Sequence, residues 1–410
     1  MTVDAASGPT AGPAPAHAAE GDDTSTPSGA VTAATPVEAS GTGVDTPTPG
    51  RWIPGTALLV YLACRVATVA GVAVVDLFAH DSLLHRLEIW DGSWFLRIVH
   101  HGYPAHLPMV DGHVTSNASA FFPLFPLIVR AVAVTGLSAG AVALALSAVT
   151  GATAVYGVGL LARHLGGDGA GRRAALLFAV FPGTFVFSLA YSEGIAITCV
   201  SIGLLALLGR RWWLAGLLGM VATAASPVAL AFVVSCAWCA GRAVVRERRW
   251  VALVAPLMAP LGFVAFMAYL ALHTGQLNAW RLTEQGGWRS YPSLSYPFRI
   301  VGSFVRDPLA PTLTGHILFF CTVAAVAGIV LMVRERQPAP VLLYGFCAVG
   351  AAAVSQPVGL RPRFLMLAFP MVVALATRYE GRVHRVLVAA SAVLLVVFTV
   401  LELGSWAVFP

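Results

Sequence analysis

Ala120-Phe-Phe-Pro-Leu-Phe-Pro-Leu-Ile-Val-Arg130, with its continuation to residue 136, is the stretch whose reading decides the fold. It is apolar enough to enter a membrane, yet it carries Pro123, Pro126 and Arg130. Proline removes a backbone donor that hydrocarbon cannot replace, and an arginine at the bilayer centre is costly. The stretch is therefore expected to lie in the interface or to re-enter without crossing. Every later loop takes its side from that reading.

Crossing about 30 Å of hydrocarbon takes roughly 20 apolar residues as a helix, because the backbone must satisfy its own hydrogen bonds there. Runs of this kind recur at 56–79, 140–162, 174–190, 194–209, 212–225, 228–241, 251–273, 313–333, 339–355, 363–377 and 384–406. Hydropathy thus predicts about eleven transmembrane helices. The chain is 58% hydrophobic and 11% charged, whereas a soluble domain carries about 25% charged residues. That excludes a water-soluble fold and leaves an all-α, polytopic membrane bundle. Residues 1–50 differ: they are rich in Ala, Gly, Pro, Ser and Thr, and their charged residues are Asp4, Glu20, Asp22, Asp23, Glu38 and Asp45. They are read as a disordered tail preceding a membrane domain at 51–410. With no basic segment before an apolar one, they do not form a signal peptide.

All 25 basic residues are arginines. If 120–136 does not cross, Arg163, Arg172 and Arg173 share one side with Arg210 and Arg211, Arg242 to Arg249, Arg334 and Arg336, and Arg378 to Arg385. The positive-inside rule makes that side cytoplasmic, together with the tail. The net charge of +6 therefore reports topology and gives no sign of a nucleic-acid partner. The opposite side collects a first outer loop, 80–119 or 80–139 with the re-entrant stretch, and a second, 274–312. Two short turns join them, Tyr191-Ser-Glu-Gly194 and Ser355 to Arg363. Non-spanning residues concentrated on one face mark it as the working face.

The first outer loop contains Trp90-Asp91-Gly92, with Leu87, Trp90, Trp94 and Ile98 at helical spacing. An interfacial helix would hold Asp91 at the membrane surface. Asp91 is either a reactive carboxylate there or the structural partner of Arg86 or Arg97. Glu193 interrupts an apolar hairpin, where a carboxylate must face protein, water or a ligand, or else cap the following helix. Arg361 and Arg363 end the last outer turn. Their guanidinium forks suit phosphate, although outer arginines also anchor lipid headgroups. His80, His85, His100, His101, His106 and His113 crowd the first outer loop without a metal-ligand spacing. The six cysteines, including Cys236-Ala-Trp-Cys239, lie in apolar runs and imply no disulfide framework. Nucleotide-binding, zinc-protease and hydrolase motifs are absent.

These pieces in this order resemble the PIG-V-type mannosyltransferases, bacterial relatives of glycosylphosphatidylinositol mannosyltransferase II within the GT-C glycosyltransferases. The residues that carry the likeness run from Trp90-Asp91-Gly92 and Gly102-Tyr103-Pro104 to Phe121-Phe122-Pro123 and Pro126. They continue with Phe181-Pro182, Tyr191-Ser192-Glu193, Arg361-Pro362-Arg363-Phe364 and Pro370. The chain departs from the pattern at Ala225-Ser226-Pro227, where the family places an arginine before the proline.

The resemblance implies a GT-C-type bundle in the inner membrane that moves mannose from a polyprenyl-phosphate donor to a glycolipid, polysaccharide or protein acceptor on the extracytoplasmic face. It implies Asp91 as base in an inverting transfer without metal or cofactor. Trp90, Tyr191, Glu193, Arg130, Arg361, Arg363 and Trp288 are the candidates for substrate binding, with Arg361 or Arg363 meeting the phosphate. Trp280, Trp288, Tyr291 and Tyr296 of the second outer loop offer faces for a sugar, as an interfacial aromatic belt also would. A lipid-linked sugar transporter or flippase, and a non-catalytic assembly partner, are the competing classes.

Overall fold

The structure, a computed structural model, describes residues 52–79 and 87–404. The tail 1–50, His80, His85, Arg86 and the end of the last expected span lie outside the described residues. The described chain is helical apart from short turns and two small strand pairs. Five helices are long and apolar enough to cross a membrane, within Gly55–Val74, Ala139–Ala179, Pro227–Glu247, Leu313–Arg334 and Gly381–Leu401. Two bent pairs raise the number to as many as 7 among the described residues.

The deciding stretch forms a helix only over Leu124–Ala133. Ten residues rise ~15 Å, about half the hydrocarbon thickness. Phe125 and Val129 face the core while Leu127 and Val134 are exposed. A plain crossing helix is not what this segment makes, as its prolines and Arg130 imply.

Several expected spans are broken, for reasons visible in their residues. The run 174–190 does not continue as one helix. The long helix Ala139–Ala179, itself interrupted at Gly166 and Gly167, ends before Pro182. A 3₁₀ segment, Pro182–Ser188, follows, and the next helix, Glu193–Leu208, departs from it at 119°. Pro182 cannot donate into a continuing ladder, and Arg65 of Gly55–Ala79 holds the unwound backbone by donating to the Thr184 carbonyl. The run 251–273 bends by 44° before Leu261–Thr274, at Pro260. The run 363–377 divides into Pro362–Leu367 and Pro370–Arg378, again at a proline. Trp212–Ala225 and Ala339–Val354 are apolar but shorter than a full crossing.

The loops sort into two sets. Among the arginine loops, Arg173 pairs with Glu380 at 3.3 Å and Arg378 with Glu335 at 3.6 Å. Arg210 meets Glu247 at 2.6 Å. The outer segments meet one another instead. Ser116 donates to the Gly287 carbonyl at 2.6 Å, and Tyr291-Pro292 pairs antiparallel with Ser355-Gln356.

Between the two sets lies a core in which the Ala139–Ala179 and Glu193–Leu208 helices approach through small residues, with Ala154, Val158, Val200 and Ser201 fully buried. Small residues let helix backbones come close where no hydrophobic effect drives helices together.

Candidate active site

Asp91 is the first residue of the interfacial helix Asp91–His101, which we call α1. Trp90 precedes it at φ +60°, a left-handed conformation that costs a non-glycine residue about 1–3 kcal/mol and persists only when its surroundings over-determine it. Here the Trp90 carbonyl accepts from the Ser93 hydroxyl at 2.8 Å and from the Ser93 N–H at 3.2 Å. The turn is seated on the 3₁₀ segment's exit, where the Ala190 N–H donates to the Leu87 carbonyl at 3.3 Å. The Asp91 N–H points to the Tyr191 hydroxyl at 3.4 Å.

Arg363 completes the arrangement. Its Nη2 lies 2.5 Å from Asp91 Oδ2, and its Nε donates to Glu193 Oε1. The guanidinium carbon stands 4.5 Å from the Tyr191 ring centroid and 5.2 Å from that of Phe364. The Arg363 side chain is 11% exposed, that of Glu193 4% and that of Asp91 25%. One buried cation therefore serves two carboxylates, one sealed and one reaching solvent. Removing charges from water costs several kcal/mol per ion, which hydrogen-bonded pairing offsets.

Backbone proximity sets this geometry. A Cβ on Gly183 would stand 2.2 Å from the Pro362 carbonyl oxygen. Only glycine lets the 3₁₀ segment lie flat on the turn that delivers Arg363. Ser192 donates to the Ala225 carbonyl at 3.2 Å, which brings the divergent Ala225-Ser226-Pro227 turn beside Glu193.

Asp91, Tyr191, Glu193 and Arg363 are thus brought into direct contact, and Trp90 is their neighbour. Glu193 is the first residue of its helix, but its side chain is committed to Arg363 and not to a cap. Arg363 Nε and Nη2 both meet carboxylates, so this guanidinium is committed to holding the cluster together. Arg361 is partly buried, and its charge acts on Tyr296, whose hydroxyl donates to the Pro357 carbonyl at 2.9 Å.

Trp288 meets Trp94 and Phe121 edge-on, each at 5.6 Å between centroids. Arg130 lies elsewhere. With Glu88 and His100 it lines a cavity of about 780 Å³ between α1, the helix at 124–133 and the start of that at 139–179. Arg97, a possible partner for Asp91, instead lies 4.4 Å over the Trp94 ring.

The sequence reading missed two residues. Arg65, 5% exposed within the first span, fixes the 3₁₀ segment from behind. An arginine in an otherwise apolar run was the signal for it. Glu284 sits on the helix Ala279–Gly287, our α2, close enough to Asp91 for their charges to interact. Burial, reinforced by Asp91 and opposed by a hydrogen bond from Ser290, pushes its carboxyl up to about 7. Trp280, Glu284 and Trp288 recur every fourth residue and so share a helix face. That spacing was legible.

Buried polar atoms here that lack a hydrogen-bond partner among the described residues include Glu193 Oε2 and Trp288 Nε1. Among the same residues, His, Cys, Asp and Glu side chains form no group of three or more that could hold a metal ion. Chemically, the arrangement offers an acceptor carboxylate at Asp91, a second carboxyl at Glu284, a cation at Arg361 and aromatic faces.

No family model matches the chain, and no curated protein sequence is similar to it. Three solved structures of the Archaeoglobus fulgidus oligosaccharyltransferase resemble it in fold. The zinc and sulfate complex is 16% identical over 87% of this chain, with a TM-score of 0.47. The apo form is 13% identical over 85%, with a TM-score of 0.46, and the form tethered to an acceptor peptide 14% over 80%, with a TM-score of 0.43. This chain spans about half the length of those proteins, 53%, 55% and 51% respectively.

Proposed function

We propose that the chain is a membrane glycosyltransferase that moves mannose from a polyprenyl-phosphate carrier to an acceptor hydroxyl on the extracytoplasmic face of the inner membrane. The observation that carries this reading is the Asp91–Arg363–Glu193 cluster, in which a solvent-reaching carboxylate is held by a buried cation where the outer segments converge.

In this mechanism Asp91 accepts the proton of the acceptor hydroxyl as its oxygen attacks the anomeric carbon from the face opposite the phosphate. The bond from that carbon to the phosphate oxygen breaks, and its electron pair leaves with the phosphate. Arg361 meets the charge that develops there. Glu193, sealed behind Arg363, holds that guanidinium against Asp91. The lipid tail of the carrier stays in hydrocarbon while its phosphosugar reaches the outer loops. The N-terminal tail belongs on the cytoplasmic side, with the arginine loops.

The test is transfer of labelled mannose from polyprenyl-phosphate mannose in membranes containing the full chain. Transfer that is abolished in Asp91→Asn supports the assignment. Full transfer by that variant removes Asp91 as base, and counterflow of the lipid-linked sugar without a new glycosidic bond replaces the transferase with a flippase.

A further inference from the structure

Arg130 takes no part in the mechanism above, and its setting asks for a partner. It stands in the last turn of the apolar helix Leu124–Ala133. Leu127 and Val134, about one turn to either side and so on the same face, are 56% and 81% exposed. Among the described residues the Arg130 side chain has no ion-pair partner and no hydrogen-bond acceptor, whereas Arg363 holds two carboxylates and Arg97 lies over a ring. A guanidinium on an apolar stripe of a membrane protein is costly unless its charge reaches water or an anion.

The cavity of about 780 Å³ that Arg130 lines has Glu88, His100 and Ser138 as its other polar groups, and Val99, Val134 and Leu137 among its apolar walls. Those polar groups are not equally committed. The Ser138 hydroxyl accepts from the Ala141 N–H at 3.5 Å and so caps the helix that begins there. The Glu88 carboxylate lies against the first turn of the same helix, since a Cβ on Gly140 would stand 1.7 Å from its Oε1. A negative group is favoured at that end of a helix. His100, exposed near the end of α1, has the His101 ring as a neighbour at 6.2 Å. Arg130 and His100 therefore bring donors to a cavity that is apolar along one flank.

A guanidinium fork suits phosphate, and basic pockets between membrane helices take phosphate headgroups. A free phosphate would leave the apolar walls wet, and a hydrocarbon chain alone would leave Arg130 unpaired. We propose that this cavity is a phospholipid site separate from the donor's. Arg130 binds the headgroup phosphate of a diacyl phospholipid, with His100 as a second donor, and the glycerol and upper chains lie along Val99, Val134 and Leu137. Asp91 and His100 stand nine residues apart on α1, a rise of about 13 Å. A lipid held here braces that helix at the end opposite Asp91. The mechanism assigns the donor phosphate to Arg361, so this inference goes beyond the transferase reading and does not depend on it.

The full-length chain, purified in detergent and stripped of lipid, tests it by native mass spectrometry and by the midpoint of thermal unfolding. Phosphatidylglycerol should be retained and should raise the midpoint. Diacylglycerol with the same chains, which lacks the phosphate, should bind roughly tenfold more weakly or worse. Arg130→Gln should lose that preference, and Arg130→Lys should keep part of it. Arg130 holds no other side chain among the described residues, so the lipid-free midpoint of Arg130→Gln should match that of the wild type. Ala133→Phe fills the cavity with Arg130 still in place, and should weaken retention of phosphatidylglycerol without removing a charge.

Equal retention of the two lipids by the wild type, or an undiminished preference for phosphatidylglycerol in Arg130→Gln, overturns the proposal. So does wild-type retention in Ala133→Phe. Protection by inorganic phosphate alone, equal to that by phosphatidylglycerol, makes this a free-anion site and overturns the lipid assignment. Retention of a polyprenyl phosphate in preference to phosphatidylglycerol gives the cavity to the donor and overturns it as well. Every readout is taken with no sugar present, so a failure of the transferase reading leaves these outcomes unchanged.

Discussion

Asp91 and Arg363, distant in the chain, meet with Nη2 2.5 Å from Oδ2, and the same guanidinium holds Glu193 through its Nε. Arg363→Met leaves two carboxylates facing each other without a cation, one of them buried. Loss of one partner from a buried ionic network costs about 3–5 kcal/mol. A lowered midpoint of thermal unfolding in detergent is expected, with partial recovery when Glu193→Gln is added. A wild-type midpoint for the single variant would show that the cluster does not hold these segments together.

Gly183→Ala places a methyl group where the Pro362 carbonyl oxygen stands 2.2 Å away. Backbone must move, at about 1–3 kcal/mol, and Arg363 moves with it, so activity and stability fall together. Gly350→Ala is the control. Nothing lies within 4 Å of its added carbon, and alanine in a helix stabilises by about 0.5–1 kcal/mol relative to glycine.

Glu284 gives stability a pH dependence of definite sign. Its carboxyl is raised in the folded chain to about 7 from 4.5, so its contribution is complete below the unfolded value and is lost as pH rises through about 7. At about 1.4 kcal/mol per unit the loss is at most about 3.5 kcal/mol. The difference in unfolding midpoint between wild type and Glu284→Gln should therefore change between about pH 5 and about pH 8. A difference constant across that range would refute the placement of this carboxyl.

Arg361 and Arg130 should behave differently toward the donor. A charge-assisted hydrogen bond to phosphate contributes about 1.5–3 kcal/mol, so Arg361→Gln should raise the donor KM by roughly tenfold or more. Arg130→Gln should change it less than about twofold. The reverse ranking would move the phosphate to the cavity that Arg130 shares with Glu88 and His100.

Sidedness is open to a direct measurement. In a chain freed of its native cysteines, single cysteines at Ser116 and Ser295 should react with an impermeant thiol reagent from outside. Those at Arg211 and Arg336 should react only after permeabilisation. Equal labelling of both sets would undo the topology and, with it, the extracytoplasmic assignment.

The bundle was legible because hydrocarbon imposes a local rule. Each crossing segment must satisfy its own backbone, so length and apolarity suffice to find it. The stretch at 120–136 was legible for the same reason, since Pro123, Pro126 and Arg130 break that rule within the segment itself. The rule failed where packing overrides it. The apolar run 174–190 hides an unwound 3₁₀ segment that depends on Arg65, a residue of another helix.

By itself, the sequence determined that this is a helical membrane protein, and it separated the arginine-rich loops from the segments that carry Asp91, Glu193 and Arg363. Tertiary structure alone decided that these three form one cluster, that Arg363 is held by carboxylates, that Arg130 lies in another cavity, and that Glu284 is buried. Hydropathy is a property of a segment and is written along the chain. A salt bridge or a raised carboxyl is a property of what surrounds a group, and here the surroundings come from elements hundreds of residues apart.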